Sequence, residues 1–337
     1  MKRLSSHDFD LLFKRWTSEG YEIYGPRRAA YGGDFFFNRV ESFGECEFDG
    51  FVNTLKPPKD FFFPQEFATL RLSRGNVETL EESPKRVIFG IRPCDLEGLL
   101  ILDKFYMSNI VDPFYKARRE NTILVTFACF NPLPTCFCKE ANAGPVARQG
   151  FDLQVFDLGD VYLVEAGSSR GESYIDEFPE ADEELLKRLE DENRKTLEKF
   201  TPRPWMDRHL HNFHVGKDSK IWRELGKFCF RCGGCNYLCP TCSCFNTFDL
   251  DHGEFIEQRR EWDSCLLEGY HRMAGSNPKP DAASRMHFRF ECKLSKEINE
   301  PYGRISCTGC GRCIQTCIGD AHIESLVILM DKEGGAE

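Results

Sequence analysis

Cys229–Phe245 reads CFRCGGCNYLCPTCSCF and holds six cysteines and a proline in seventeen residues. Thiols at this density indicate a disulfide framework, a zinc site or an iron–sulfur cluster. The whole chain has 17 cysteines, an odd number, so a disulfide framework would leave at least one of them unpaired. The start MKRLSSHDFDLLF has no apolar secretory segment, which predicts a cytoplasmic protein with reduced thiols. We therefore interpret the cysteines as metal ligands.

The cysteine spacing favours [4Fe–4S] clusters over zinc. The pattern C-x2-C-x2-C-x3-C occurs over Cys229–Cys239, where Pro240 follows, and again over Cys307–Cys317, where Ile318 follows. Three thiolates on a loop that bends back on itself can reach three corners of a cube, while the next helix carries the fourth away. A four-cysteine zinc site needs C-x2-C pairs but not this longer run. We therefore predict two [4Fe–4S] clusters.

The two motifs are predicted to exchange their fourth ligands, as in two-cluster ferredoxins. Small residues support this prediction, because Gly233 and Gly311 let backbone N–H groups approach the cluster sulfides. Four-thiolate clusters have no open iron site, so the motifs predict electron transfer and no catalytic residue. The first cluster is predicted to bind Cys229, Cys232, Cys235 and Cys317, and the second Cys307, Cys310, Cys313 and Cys239.

Four more cysteines are predicted to converge in the N-terminal half. RVIFGIR and TILVTFACF have the composition of buried strands, and DLEGLLILDKFY between them predicts a helix. The ends of two neighbouring parallel strands lie side by side at one edge of a sheet. The thiols there either hold a third [4Fe–4S] cluster or are buried as small hydrophobic side chains. This set is Cys94, Cys129, Cys136 and Cys138.

The remaining cysteines leave two functions open. Cys242, Cys244 and Cys265 are interpreted as packing around the clusters. In the alternative, they handle a persulfide or disulfide substrate, and the chain is a stand-alone thiol redox enzyme. Cys46 and Cys292 are interpreted as structural or incidental.

The coarse organisation is α+β. We predict an N-terminal mixed α/β domain over residues 1–200, a linker over 201–226, a cysteine-bearing domain over 227–330 and a tail over 331–337. RMHFRFECKLSKEI, between the two motifs, predicts an amphipathic helix. Asp95 is interpreted as the cap of the helix that follows the first buried strand.

Charge and hydropathy exclude other classes of protein. The net charge is −10, which disfavours a nucleic-acid binder, and no apolar run of about 18 residues predicts a membrane span. A basic stretch at Arg285–Lys293 would offset cluster charge or dock an acidic partner. In a zinc-stabilised interaction module, the same stretch would bind nucleic acid.

The motifs together resemble the dicluster iron–sulfur family whose members occur in anaerobic sulfite reductase and as the beta subunit of cytoplasmic sulfhydrogenases. The resemblance covers nearly the whole chain and implies an all-helical ferredoxin-like fold for residues 227–330, with which the long segment between Cys239 and Cys307 agrees. It also implies electron relay from or to a flavin- and NAD(P)-binding subunit, with a catalytic subunit of hydrogenase, sulfite reductase or heterodisulfide-reductase type at the other end. The segments that carry it are KPPKDFFFPQ, GIRPCDLEGLLILDKFY, FACFNPLPTCFC, CFRCGGCNYLCPTCSCF, REWDSC and CTGCGRCIQTC.

Overall fold

The protein combines two β-sheets with helices in a computed structural model that describes residues 1–80 and 83–334. The strands in the described residues are β1 (Lys2–Leu4), β2 (Glu22–Arg28), β3 (Phe35–Arg39), β4 (Glu66–Ser73), β5 (Asn76–Thr79), β6 (Arg86–Ile91), β7 (Thr122–Phe127), β8 (Leu153–Asp157), β9 (Tyr162–Ala166), β10 (Phe245–Asp251) and β11 (Phe255–Trp262). The α-helices in the same residues are α1 (Ser6–Ser18), α2 (Pro93–Met107), α3 (Pro113–Glu120), α4 (Ser169–Ile175), α5 (Glu183–Glu198), α6 (Pro204–His209), α7 (Lys220–Phe228), α8 (Gly234–Tyr237), α9 (Ala282–Leu294), α10 (Lys296–Asn299), α11 (Arg312–Gln315) and α12 (Ile323–Gly334).

The larger sheet has seven strands in the order β1-β9-β8-β7-β6-β2-β3. Its four central strands, β8, β7, β6 and β2, run parallel, and the outer pairs are antiparallel. The predicted strand–helix–strand unit is confirmed as β6–α2–β7, and β8 and β9 form an antiparallel hairpin. The carboxyl ends of β6 and β7 therefore lie side by side, as the sequence prediction for the N-terminal cysteines requires.

Helices cover both faces of this sheet, because successive side chains of a strand point to opposite faces. Phe89 of β6 faces α1, where the ring of Phe13 lies 5.0 Å away in an edge-on contact. Its neighbour Ile88 belongs to the core on the other face, together with Leu99 of α2. These four side chains are buried, so β6 is covered on both sides.

The smaller sheet joins distant parts of the chain. Its order is β10-β11-β4-β5, so the hairpin β10–β11 pairs through β11 with the N-terminal strand β4. The indole N–H of Trp262 also donates to the carbonyl of Phe63 at 2.8 Å. The hairpin lies within residues 227–330, so this segment is α+β, and the expectation that it is all-helical was wrong. Local periodicity missed the hairpin because its partner strand is far away in sequence.

The other helices of this half share one hydrophobic core with the N-terminal cysteines. The predicted amphipathic helix is confirmed as α9, and Trp222 of α7 stacks on Phe290 of α9 at 6.3 Å between ring centroids. Cys94 and Cys136 belong to the same core. Helix α6 and most of α7 lie in residues 201–226, the segment predicted as a linker. Helix α12 continues to Gly334. Residues 335–337 of the predicted tail lie outside the described residues.

Asp95 forms a buried ion pair, so its interpretation as a helix cap was wrong. Arg92 is the N-cap residue of α2, which has no side-chain cap. The carboxylate of Asp95 accepts hydrogen bonds from both terminal nitrogens of Arg312, one at 2.8 Å. The two residues are only 1% and 2% exposed. Burial alone would lower the pKa of Arg312. The attraction of the Asp95 carboxylate outweighs the effect of burial and raises this pKa. The pair ties α2 to the second cysteine motif.

Replacing this carboxylate should destabilise the protein strongly. In Asp95→Asn, the buried Arg312 loses its counter-charge, and we expect a loss of about 3–5 kcal/mol in the free energy of unfolding. The measurement is the midpoint of anaerobic thermal unfolding, followed by circular dichroism. The control is Asp160→Asn, which removes the partner of Arg188 in an exposed pair and should leave the midpoint unchanged. Equal midpoints for the two variants would contradict the role of the buried pair.

Candidate iron–sulfur site

The first cysteine motif folds around a tight turn before α8. Arg231 and Gly233 have positive φ angles of 58° and 74°, which return the chain to the thiols it has just passed. Burial raises the pKa of Cys235, and the nearby thiols of Cys229 and Cys317 raise it further. The structure therefore places Cys317 of the second motif beside two cysteines of the first.

The second motif repeats this geometry before α11. Gly309 and Gly311 have φ angles of 63° and 77°. Burial raises the pKa of Cys307 to about 12, and the nearby thiols of Cys239 and Cys310 contribute to the increase. The fourth cysteine of the first motif thus lies beside the second motif, in the arrangement that crossed ligands require. The assignment of each thiol to a cluster stays a prediction.

The four N-terminal cysteines also lie together. Cys94, at the start of α2, has its pKa raised by burial, and the thiols of Cys138 and Cys310 raise it further. Burial raises the pKa of Cys138 as well, with contributions from Cys136 and Cys129. The four residues are between 5% and 8% exposed. This N-terminal set borders the second motif through Cys310.

The contact between the N-terminal set and the second motif is close. The amide of Phe137 donates to the carbonyl of Gly309 at 2.8 Å. A Cβ atom at Gly309 would lie 2.3 Å from the carbonyl oxygen of Phe137, so only glycine fits there. Helix α2 approaches the first motif equally closely, since a Cβ atom at Gly98 would lie 2.6 Å from the Cβ of Pro240.

Among residues 1–80 and 83–334, no three His, Cys, Asp or Glu side chains converge closely enough to hold one ion. A tetrahedral zinc site needs such convergence, whereas a [4Fe–4S] cube separates its four thiolates across its corners.

Comparison with known proteins agrees with this geometry. A family model described as a 4Fe-4S dicluster domain matches residues 228–321. The beta subunit of sulfhydrogenase 2 from Pyrococcus furiosus is 32% identical over 340 residues, which cover 99% of this chain and 98% of that protein. The chain belongs to the family of dicluster [4Fe–4S] electron-transfer subunits. It is thus an iron–sulfur subunit of an oxidoreductase, and no helix in its described part is long and apolar enough to cross a membrane.

Four buried cations lie beside the thiols of this electron-transfer subunit. Within the described chain, none of the four forms an ion pair with a carboxylate. An unpaired buried charge is costly, and a thiolate-bound cluster would supply the missing negative charge. The residues are Lys59, Arg92, Arg289 and Lys293, which are between 2% and 7% exposed.

Two of these cations come from α9. Burial alone would lower the pKa of Arg289, and the thiols of Cys235 and Cys313 outweigh it and raise the pKa. Lys293 faces Cys239 in the same way, and its ammonium group donates to Thr241 Oγ1 at 2.6 Å. Because both side chains are buried, they offset charge inside the protein. The alternative that they dock an acidic partner was wrong for these two residues.

The other two cations were missed by the sequence analysis. Arg92 donates to the carbonyls of Val52 and Ala128, each at 2.8 Å. Burial lowers the pKa of Arg92, and the thiols of Cys129 and Cys94 oppose the decrease. Lys59 donates to the carbonyl of Cys242 at 2.9 Å. Their only signal in the sequence was their place in the segments GIRPCD and KPPKDFFFPQ, on which the family resemblance rests.

Removing one of these cations should change the cluster potential. In Arg289→Gln, the reduced and more negative state loses a buried positive neighbour, so we expect a more negative reduction potential. The expected shift of the reduction potential is roughly 60 mV for each 1.4 kcal/mol of attraction between the cluster and Arg289 that the substitution removes. The measurement is an anaerobic redox titration followed by electron paramagnetic resonance.

A matched control lies one turn earlier on the same helix. Arg285 is 1% exposed, but it donates to the carbonyl of Lys279 at 2.9 Å instead of facing the thiols. Arg285→Gln should therefore leave the potential unchanged. A similar shift in both variants would mean that general damage to α9, not the charge of Arg289, is responsible.

Proposed function

We propose that this chain relays electrons between a flavin- and NAD(P)-binding subunit and the catalytic subunit of a cytoplasmic complex of hydrogenase, sulfite reductase or heterodisulfide-reductase type. The observation that carries the proposal is the order of the thiol sets. The N-terminal set borders Cys310, and the second motif borders the first where Cys235 faces Cys313. Burial raises the pKa of Cys313, and the Cys235 thiol adds to the increase. All 17 cysteines are free thiols, which suits a reducing compartment.

Each thiol set would hold one [4Fe–4S] cluster, two by the motifs and a third by Cys94, Cys129, Cys136 and Cys138. When bound, these clusters supply one-electron transfer. The chain itself fixes the positions of the thiolates, shields the N-terminal set from water and places cations around the thiols. Because burial raises the pKas of Cys94, Cys138 and Cys307, these thiols must lose protons when iron binds.

The three thiol sets follow one another in a row, and the edge of this row at the first cysteine motif reaches the surface. Cys232 of the first motif is exposed, as are its neighbours Phe228 and Phe230 at 61% and 68%. Ile318, beside Cys317, is 78% exposed. Exposed apolar patches mark docking sites, and aromatic residues are enriched at the centres of interfaces. We infer that a partner subunit with its own electron-transfer group docks on this edge, where the thiols lie nearest to solvent.

The iron content tests the number of clusters. Anaerobically purified protein should hold about twelve iron and twelve sulfide per chain, the content of three [4Fe–4S] clusters. Cys138→Ser should lower both to about eight, because it removes one ligand of the N-terminal set. Cys46→Ser is the control, since burial raises the pKa of that thiol to about 12 and no other cysteine is among its electrostatic neighbours.

Two outcomes would change the proposal. About eight iron in the unmodified protein would assign the N-terminal cysteines to packing and restrict the relay to the two motifs. Zinc with little iron would contradict electron relay by this chain altogether.

The docking edge is tested by removing its aromatic rings. The double variant Phe228→Ser and Phe230→Ser should bind its partner subunits at least tenfold more weakly, a change of about 1.4 kcal/mol, with unchanged iron content. Val77→Ser is the control, because Val77 is 63% exposed and lies on β5, an edge strand of the smaller sheet. Affinities are measured by titration of the purified chain into the remaining subunits. Unchanged affinity of the double variant would place the docking surface elsewhere.

A further inference from the structure

A cavity of about 700 Å³ lies between the two halves of the chain. Leu100 and Ile101 of helix α2 form an apolar part of its lining, and residues 141–142 and 148–149 line it from the same half. Residues 302–304, a few positions before the second cysteine motif, line it from the other half. Cysteines are not among its described lining residues, so this cavity is separate from the thiol sets.

The cavity collects positive charge, although the chain as a whole has a net charge of −10. Its described lining includes Lys104, Arg148 and Arg304 but a single carboxylate, that of Glu97. Glu97 is 8% exposed and forms an ion pair with Arg304. Two cations of the lining are therefore left without a counter-charge in the described residues, and an anion that enters the cavity would be attracted to both.

Contacts between the two halves hold two of the three cations in place. Arg304 donates to the carboxylate of Glu97 and to the carbonyl of Ala141, the latter at 2.7 Å. The ammonium group of Lys104 donates to the carbonyl of Tyr302 at 2.5 Å. Because these side chains are already ordered, binding an anion to them would cost less conformational entropy than binding it to freely moving surface cations.

Arg148 is the third cation, and its hydrogen-bond donors are free. Its side chain is exposed and forms neither an ion pair nor a hydrogen bond within residues 1–80 and 83–334. A guanidinium group can bind two oxygens of one phosphate group through parallel hydrogen bonds. The ammonium group of Lys104 has three N–H donors, of which the carbonyl of Tyr302 takes one. The cavity therefore offers hydrogen-bond donors as well as positive charge.

We propose that this cavity binds a small phosphate-bearing molecule, whose negative charges interact with Arg148 and Lys104. A phosphate group carries about two negative charges near neutral pH, which matches the two cations without a counter-charge. The volume of the cavity suits a small organic ligand, and Leu100 and Ile101 provide an apolar surface for the organic part. Because none of the described lining residues is a predicted cluster ligand, this inference is independent of the electron relay.

The test is isothermal titration calorimetry on the cluster-loaded protein, in which the clusters neutralise the buried cations near the thiols. The probes are pyrophosphate, ADP and adenosine. We expect pyrophosphate and ADP to bind at one site per chain, and adenosine not to bind because it carries no negative charge. Equal affinities for the two anions would assign the site to phosphate groups alone. Tighter binding of ADP would assign it to a phosphate ester whose organic part contacts Leu100 and Ile101.

A single substitution and its matched control locate the site. Arg148→Gln should weaken the binding of both anions by about tenfold, the effect of losing one charged hydrogen-bonding partner, with unchanged iron content. Arg74→Gln is the control, because Arg74 is an exposed arginine in the turn between β4 and β5 that also forms no ion pair in the described residues. The control should bind both anions with full affinity. No saturable binding of either anion, or equal affinities in Arg148→Gln and the unmodified protein, would overturn the inference.

Discussion

The interior of this protein holds positive charges that form no ion pair with a carboxylate in the described residues. Lys59, Arg92, Arg289 and Lys293 are buried beside cysteines, and the four come from both halves of the chain. An interior with unpaired cations is unfavourable on its own, and anionic thiolate clusters are the groups that would make it favourable. Metal binding and the final packing of this chain should therefore depend on each other, as in other proteins whose ligands are assembled by folding.

The position of every thiol set depends on contacts between the two halves. Strand pairing of β4 with β11 fixes the β10–β11 hairpin, and the Asp95–Arg312 ion pair fixes the second motif against α2. The close approach of Gly309 to Phe137 leaves no space for a side chain between the second motif and the N-terminal set. These contacts are stiff, because buried ion pairs and close backbone contacts have few alternative arrangements. A rigid frame suits electron transfer, which needs fixed distances between carriers.

The arrangement separates two tasks along one chain. The buried N-terminal set and the second motif lie in the interior, where cations and low water content control the charge of the thiolates. The first motif reaches the surface beside Phe228 and Phe230, which suits exchange with a partner.

The sequence alone determined the features that depend on short-range spacing. The repeated C-x2-C-x2-C-x3-C pattern predicted [4Fe–4S] clusters, and together with the other segments it predicted the family. The buried strands around DLEGLLILDKFY predicted β6, α2 and β7. Only the tertiary structure showed that Asp95 pairs with Arg312, that β11 pairs with β4, and that Lys59 faces Cys242. The physical reason is distance along the chain. A cluster motif or a helix is specified by neighbours within a few residues, whereas the partner of a buried charge or an edge strand is chosen by how remote segments pack.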